Sequence, residues 1–180
     1  MLDKIPSSAG RLPGGLRAGP ESLVFNDAAL ARVPARIDVM SPAFIDGGML
    51  PERFTADGSG ISPPLEWRGA PLTTAELILL IEDPDAPMAH PLMHAIAWKL
   101  HGAGGSIVEG ALAGRNCYML RNYLPPDPPS GHGIHHYAFE LFALDGPARF
   151  ESAPGRDGLI EMLKEHAIAK GMLVARYERL

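Results

Sequence analysis

Proline and glycine constrain this chain more than any other residue types. Its 180 residues include 18 Pro and 20 Gly, scattered along the whole length. Each Pro fixes φ and removes a backbone donor, and each Gly adds entropy that regular structure must overcome. That scatter predicts a loop-rich fold of many strands and argues against a helical bundle. An apolar fraction of 46% with 21% charged residues suits one domain with a sizeable core. The net charge of −5 leaves no basic excess to neutralise nucleic-acid phosphates, so no nucleic-acid partner is expected. The longest apolar run, Leu77 to Ile81, is far too short to span a bilayer. Cys117 is alone, and Lys4, Arg11 and Arg17 are not joined to a signal-like apolar run. Both features point to the cytoplasm.

Hydrophobic spacing divides the chain at residue 35. Residues 1–34 form an N-terminal arm, rich in Ser, Gly, Pro and Arg at first, with at most a short helical turn between Glu21 and Arg32. Residues 35–180 hold the folded domain. Arg36 to Met40 alternates like a half-buried strand and stops at Ser41-Pro42. Ala75 to Glu82 is continuously apolar up to an Asp-Pro stop, which predicts a central strand buried on both faces. Leu92 to Leu100, with small and large residues mixed, is a second strand candidate and His136 to Leu144 a third. In the third, Tyr137, Phe139, Leu141 and Ala143 face one way, and Ala138, Phe142 and Leu144 the other. Asp157 to Lys170 carries Leu159, Ile160, Leu163 and Ala167 at helical spacing, with Lys170-Gly171 as its stop. Met172 to Tyr177 closes the chain as a strand. Trp67 and Trp98 are expected in the core, and Glu161, Lys164 and Glu165 on the solvated face of the helix.

Two segments at strand mouths concentrate the chemistry. Asp83-Pro84-Asp85-Ala86-Pro87 follows the central strand directly, and its prolines freeze the turn, with Ala86-Pro87 a candidate cis peptide. His94 lies just beyond. Gly133-Ile134-His135-His136-Tyr137 opens the third strand, where His135 and Tyr137 share a face. The Pro-rich loop before it, Tyr123 to Gly133, is long enough to suggest a function. Imidazole and phenol donors around a rigid turn suit a preformed site for a small anion. Asp83 would repel that anion, so its expected task is to accept an imidazole N–H, set the tautomer and raise the His pKa.

These residues resemble the phosphatidylethanolamine-binding proteins, specifically the bacterial Raf-kinase-inhibitor-like branch. The resemblance rests on the D-P-D-x-P segment Asp83 to Pro87, on His94, and on the G-x-H-[RH]-Y segment Gly133 to Tyr137. Phe54 to Gly58, Ile61 to Trp67 and Gly114-Arg115-Asn116 support it, and the resemblance covers roughly residues 36–180. It implies a mainly β fold with a large antiparallel sheet, a smaller sheet and a C-terminal helix. It also implies an anion site for phosphate, acetate or a phospholipid headgroup, walled by Asp83, Asp85 and Pro87 and filled by His94, His135 and Tyr137. Pro128-Pro129 matches the proline pair of the closing loop, and no cofactor is called for. A homodimer is implied by the bacterial relatives. The run Pro125-Pro126-Asp127 departs from the family pattern by removing two amide donors and adding a carboxylate, which predicts a stiffer site.

Two other readings belong to different classes. A metal-dependent hydrolase would draw on His90, His94, His132, His135, His136, Asp83 and Asp85. Against it, His135 and His136 are adjacent on a strand and point to opposite faces, and no His-x-x-x-His pattern occurs. A protein-interaction module would leave the pocket vestigial. Nucleophilic catalysis has little to work with: Ser62 and Ser130 lack a G-x-S-x-G elbow, and Cys117 reads as a small buried hydrophobe.

Overall fold

The computed structural model describes residues 17–112, 123–150 and 154–180, so Cys117, Gly114-Arg115-Asn116 and the first 16 residues of the arm lie outside the described residues. The large sheet contains β2 (Gly48–Met49), β4 (Glu76–Asp83), β5 (Leu92–Leu100), β7 (His135–Leu144) and β8 (Ala167–Tyr177). Their order is β2-β8-β7-β4-β5, antiparallel except for the short β2–β8 pair. The small sheet contains β1 (Asp38–Met40), β3 (Leu65–Arg68) and β6 (Gly105–Ile107), ordered β1-β3-β6. Among the described residues the α-helix is α1 (Arg156–His166).

The two sheets pack face to face with a third layer behind. Leu77, Leu79 and Ile81 of β4, with Tyr137, Phe139 and Leu141 of β7, meet Val39, Leu65, Trp67 and Ile107 of the small sheet. The opposite face of the same strands, Ile78, Leu80, Phe142 and Leu144, packs on Leu159 and Leu163 of α1 and on Val24 and Leu30 of the N-terminal segment. Strand β4 is therefore buried along all eight residues, which is why its sequence shows no polar alternation. Each fully buried Leu or Ile contributes about 1.5–3 kcal/mol relative to exposure. The facing of β7 agrees with its period-two reading. Trp67 is buried, whereas Trp98 is half-buried and meets Phe150 edge-to-face at 5.9 Å between ring centroids.

The helix ends earlier than its apolar spacing predicts. Ala167 is already extended (φ −74°, ψ 122°), and Lys170 and Gly171 lie inside β8. Tertiary contacts decide this. The Lys170 amide donates to the Pro34 carbonyl, and its own carbonyl accepts from the amides of Arg36 and Ile37. A Cβ on Gly171 would sit 2.1 Å from the Ile37 carbonyl oxygen, so this glycine serves close backbone approach and not a helix stop. The Ala86-Pro87 peptide is trans, as are all peptide bonds among the described residues.

The N-terminal segment folds into short 3-10 turns at Pro20–Ser22, Val24–Asn26 and Ala28–Leu30. Buried charged groups on the sheet and the half-buried Arg156 of the helix hold its backbone. Glu82 accepts from the Val24 amide (2.8 Å), and Glu140 from the Phe25 amide (2.9 Å). The Lys170 ammonium donates to the carbonyls of Phe25 (2.6 Å) and Leu30 (3.1 Å). Arg156 bridges Glu82 (2.7 Å) and the Ser22 carbonyl.

Glu82 and Glu140 are diagonal neighbours across β4 and β7. Burial, reinforced for Glu140 by the Glu82 charge, pushes both carboxyls above the usual range, Glu140 furthest. An acid whose folded pKa is raised contributes stability below its unfolded pKa, and that contribution is lost as pH rises through the folded value. Glu140→Gln keeps an acceptor for Phe25 without the titration. It is expected to match the wild type below about pH 5 and to exceed it at neutral pH by on the order of 1 kcal/mol. Thermal melts across pH test this, and equal pH dependence in the two proteins would refute it.

Candidate functional site

Strand β4 ends at Asp83, on the face shared with Leu79 and Ile81, and the following turn folds back at once. The Asp85 amide donates to Asp83 Oδ1 (2.8 Å), closing an Asx turn. Asp83 Oδ2 accepts from His135 Nδ1 (2.7 Å), one strand away at the start of β7. An ionised carboxylate can only accept, so His135 Nδ1 carries the proton and Nε2 is left to the second partner. That partner is His132, whose Nδ1 lies 2.7 Å from His135 Nε2. Asp83, His135 and His132 thus form a single line of hydrogen bonds running outward from the core.

His94 and Tyr137 lie beside this line. Their rings meet edge-to-face at 5.2 Å between centroids, and Tyr137 lies 6.5 Å from the His135 ring. His94 Nδ1 is 2.7 Å from the Leu124 carbonyl. A carbonyl only accepts, so Nδ1 bears the hydrogen and Nε2 of the neutral ring is a bare lone pair. His94 is 2% exposed and Tyr137 1%. Neither His94 Nε2 nor the Tyr137 hydroxyl has a hydrogen-bond partner among the described residues. Two orphaned polar atoms on adjoining buried rings carry a cost that a bound ligand would remove.

Electrostatics separate the two groups. Burial holds the His94 pKa below the ordinary imidazole value, although the nearby Asp83 charge opposes the shift. Asp83 acts on His94 in the upward direction, but desolvation outweighs the carboxylate. Burial and the Asp83 charge push the Tyr137 phenol up, so it stays a donor. His132 is lowered by burial first, then by His135 and Arg17.

The remaining expected residues are placed around this centre. Asp85 accepts from the His136 amide (2.9 Å) and ring (2.7 Å) through Oδ2, and from Arg17 (2.8 Å) through Oδ1. Burial alone would raise its carboxyl, but these bonds outweigh it and hold the group below the usual carboxylate range. His136 is exposed where His135 is buried. Pro87 is exposed at the tip of the turn, Pro128 is buried and Pro129 half-buried. The closing loop is pinned at several points: the Leu124 amide to the His94 carbonyl (2.9 Å), the Ala56 amide to the Pro126 carbonyl (2.9 Å), and Arg179 to the Pro128 carbonyl (3.2 Å). Asp127 turns to Arg179, which also binds Asp57. Among the described residues, no three His, Cys, Asp or Glu side chains are grouped to hold a metal ion.

Comparison with known proteins shows the family of this fold. The sequence pattern of the phosphatidylethanolamine-binding proteins matches residues 40–178. The chain belongs to that family. A UPF0098 protein of Pyrococcus horikoshii is 34% identical over 152 residues, covering 78% of this chain and 76% of its own length. A relative from Mycobacterium tuberculosis, named as the lipoprotein LppC, is 31% identical over 88% of this chain and 81% of its own. A phosphatidylethanolamine-binding protein homologue from Chlamydia trachomatis superposes with a TM-score of 0.73 at 31% identity, over 81% of this chain and 99% of its own. YbcL of E. coli shares the fold at 24% identity, with a TM-score of 0.72 over 81% of this chain and all of its own. Membership in the phosphatidylethanolamine-binding family supports a ligand-binding protein, and the family is generally not catalytic. No helix among the described residues is long and apolar enough to cross a membrane.

Arg17 was not among the expected site residues, and His132 was named only as a candidate metal ligand. The signal for His132 was its position between Gly131 and Gly133, both at positive φ (73° and 85°), which allow the loop to fold the ring back onto His135. Asp83→Asn tests the line of hydrogen bonds. Both of its partners are donors, and an amide can accept from only one of them. The variant is expected to lose about 1.5–3 kcal/mol of stability and to move the His135 proton from Nδ1 to Nε2. Nitrogen-15 NMR of the imidazoles reads the tautomer, and an unchanged His135 would show that Asp83 does not set it.

Proposed function

We propose that the chain binds a small anion, or the phosphorylated end of a larger ligand such as a phospholipid headgroup, and does not turn it over. The observation that carries this reading is that His94 Nε2 and the Tyr137 hydroxyl, on adjoining buried rings, have no hydrogen-bond partner among the described residues. Tyr137 offers a donor as it stands. His94 offers one only after taking a proton at Nε2, because its Nδ1 hydrogen is committed to Leu124. Anion binding at this site is therefore proton-linked. Asp83 and Asp85 are engaged by their own donors and act as supports: Asp83 orients His135, and Asp85 ties the turn to β7. Pro87, Pro128 and Pro129 stiffen the turn and the loop around them. The proposed site needs no metal or organic cofactor, since every role is filled by imidazole, phenol and carboxylate groups of the chain.

Acetate is a useful probe because it does not itself titrate near neutral pH. Its binding is expected to take up about one proton near pH 7.5, read by calorimetry in buffers of different ionisation enthalpy, and to weaken as pH rises. Zero uptake would mean that His94 stays neutral, and its role as a donor would fall.

Tyr137→Phe separates function from stability. Removing an orphaned buried hydroxyl is expected to leave the fold as stable or about 1 kcal/mol more so, while weakening acetate about tenfold. Unchanged acetate affinity in this variant would overturn the site assignment.

A further inference from the structure

The N-terminal segment lies outside the matched residues 40–178, yet its path ends at the site. Buried Glu82, Glu140 and Lys170 of the sheet and half-buried Arg156 of the helix hold residues 22–30 on the far face of the large sheet. Upstream, the Gly19 amide donates to the Pro84 carbonyl (3.1 Å), inside the Asp83-Pro84-Asp85 turn. Two residues earlier, Arg17 spans the rim. Its Nη1 donates to Asp85 Oδ1 (2.8 Å) and its Nη2 to the His132 carbonyl (2.6 Å). The rim is thus closed by a guanidinium that the segment carries around the sheet edge.

We propose that Arg17 is a ligand-binding residue that makes this site selective for a phosphate monoester over a singly charged anion. The proposal rests on the anion-site reading above and deepens it. The floor offers a phenol and an imidazole beside two carboxylates, Asp83 and Asp85. That set suits a monoanion, but a doubly charged phosphate so close to two carboxylates needs a cation. Arg17 is positioned to supply it. A guanidinium has five N–H donors in a planar fork that matches phosphate oxygens, and the two bonds seen here engage two of them. Its side chain is 39% exposed, so it moves without a large desolvation cost. Asp85 keeps the amide and ring of His136 when Arg17 turns away, so the exchange strands no carboxylate. His132, held at its carbonyl by Arg17 and at its ring by His135, would shift with it.

The test uses the full chain, with calorimetry of inorganic phosphate, phosphoethanolamine and acetate on wild type, Arg17→Ala, Arg17→Lys and Tyr137→Phe. Flotation with phosphatidylcholine vesicles, with and without phosphatidic acid, runs in parallel. Arg17→Ala is expected to weaken both soluble phosphates about tenfold or more and acetate less than about threefold. Arg17→Lys should fall between, keeping charge without the fork. Tyr137→Phe should weaken all three ligands. Arg17-dependent binding of the soluble phosphates identifies a free phosphate monoester as a sufficient ligand, and dependence seen only on phosphatidic acid vesicles identifies the lipid source. Wild-type phosphate affinity in Arg17→Ala, with Tyr137→Phe impaired, would overturn the role of Arg17 and leave the anion site standing. An equal loss of phosphate and acetate with a lowered melting point would make Arg17 a structural clip and overturn its selective role. Failure of wild type to bind any of the probes, or no effect of Tyr137→Phe, would overturn the anion site and this proposal with it.

Discussion

The antiparallel pairing of β4 with β7 is the constraint on which the other features depend. β4 is buried on both faces, so its last two residues place buried carboxylates in opposite layers. Asp83 faces the space between the sheets and meets His135. Glu82 faces the helix and holds the N-terminal segment through the Val24 amide. A slip of one residue would exchange them, putting each carboxylate among the wrong donors. The long aliphatic stretch of β4 fixes that register, because Leu77, Leu79 and Ile81 match one core and Ile78 and Leu80 the other.

The polar groups at this strand end differ in how fully they are satisfied, and the difference marks their roles. Asp83 and Asp85 each have donors on both oxygens, and His135 is bonded at both nitrogens. Such fully paired buried networks rigidify their surroundings. Among the described residues, His94 Nε2 and the Tyr137 hydroxyl are left without partners next to that rigid frame. A protein that tolerates two orphaned atoms on a stiff scaffold has given up some stability at one spot, which is the usual mark of a binding site.

Much of this was legible in the sequence, for identifiable reasons. β4, β5 and β7 are long apolar runs bounded by Pro and Gly, and their limits agree with the reading to within one residue. The pairing of His135 with Tyr137 on one face follows from the period of two. The end of α1 was not legible, because Ala167 to Lys170 continues the helical spacing of apolar residues. What stops the helix is the claim on the Lys170 backbone by Pro34, Arg36 and Ile37, far away in sequence. The lowered pKa of His94 was not legible for a related reason: the Asp83 charge was visible in the motif, but the burial that outweighs it was not.

By itself, the sequence determined the strand-rich architecture, the two segments from which the proposed site is drawn and the family to which the chain belongs. Those properties are local: turn residues, alternation and motif spacing act over a few neighbours. Only the tertiary structure decided that His132 caps His135, that Glu82 and Glu140 grip the N-terminal backbone, and that Arg17 reaches Asp85 across 68 positions of chain. Those contacts join residues whose side-chain types fit many other positions, and their partners are set by sheet register and burial, which no short stretch of sequence contains.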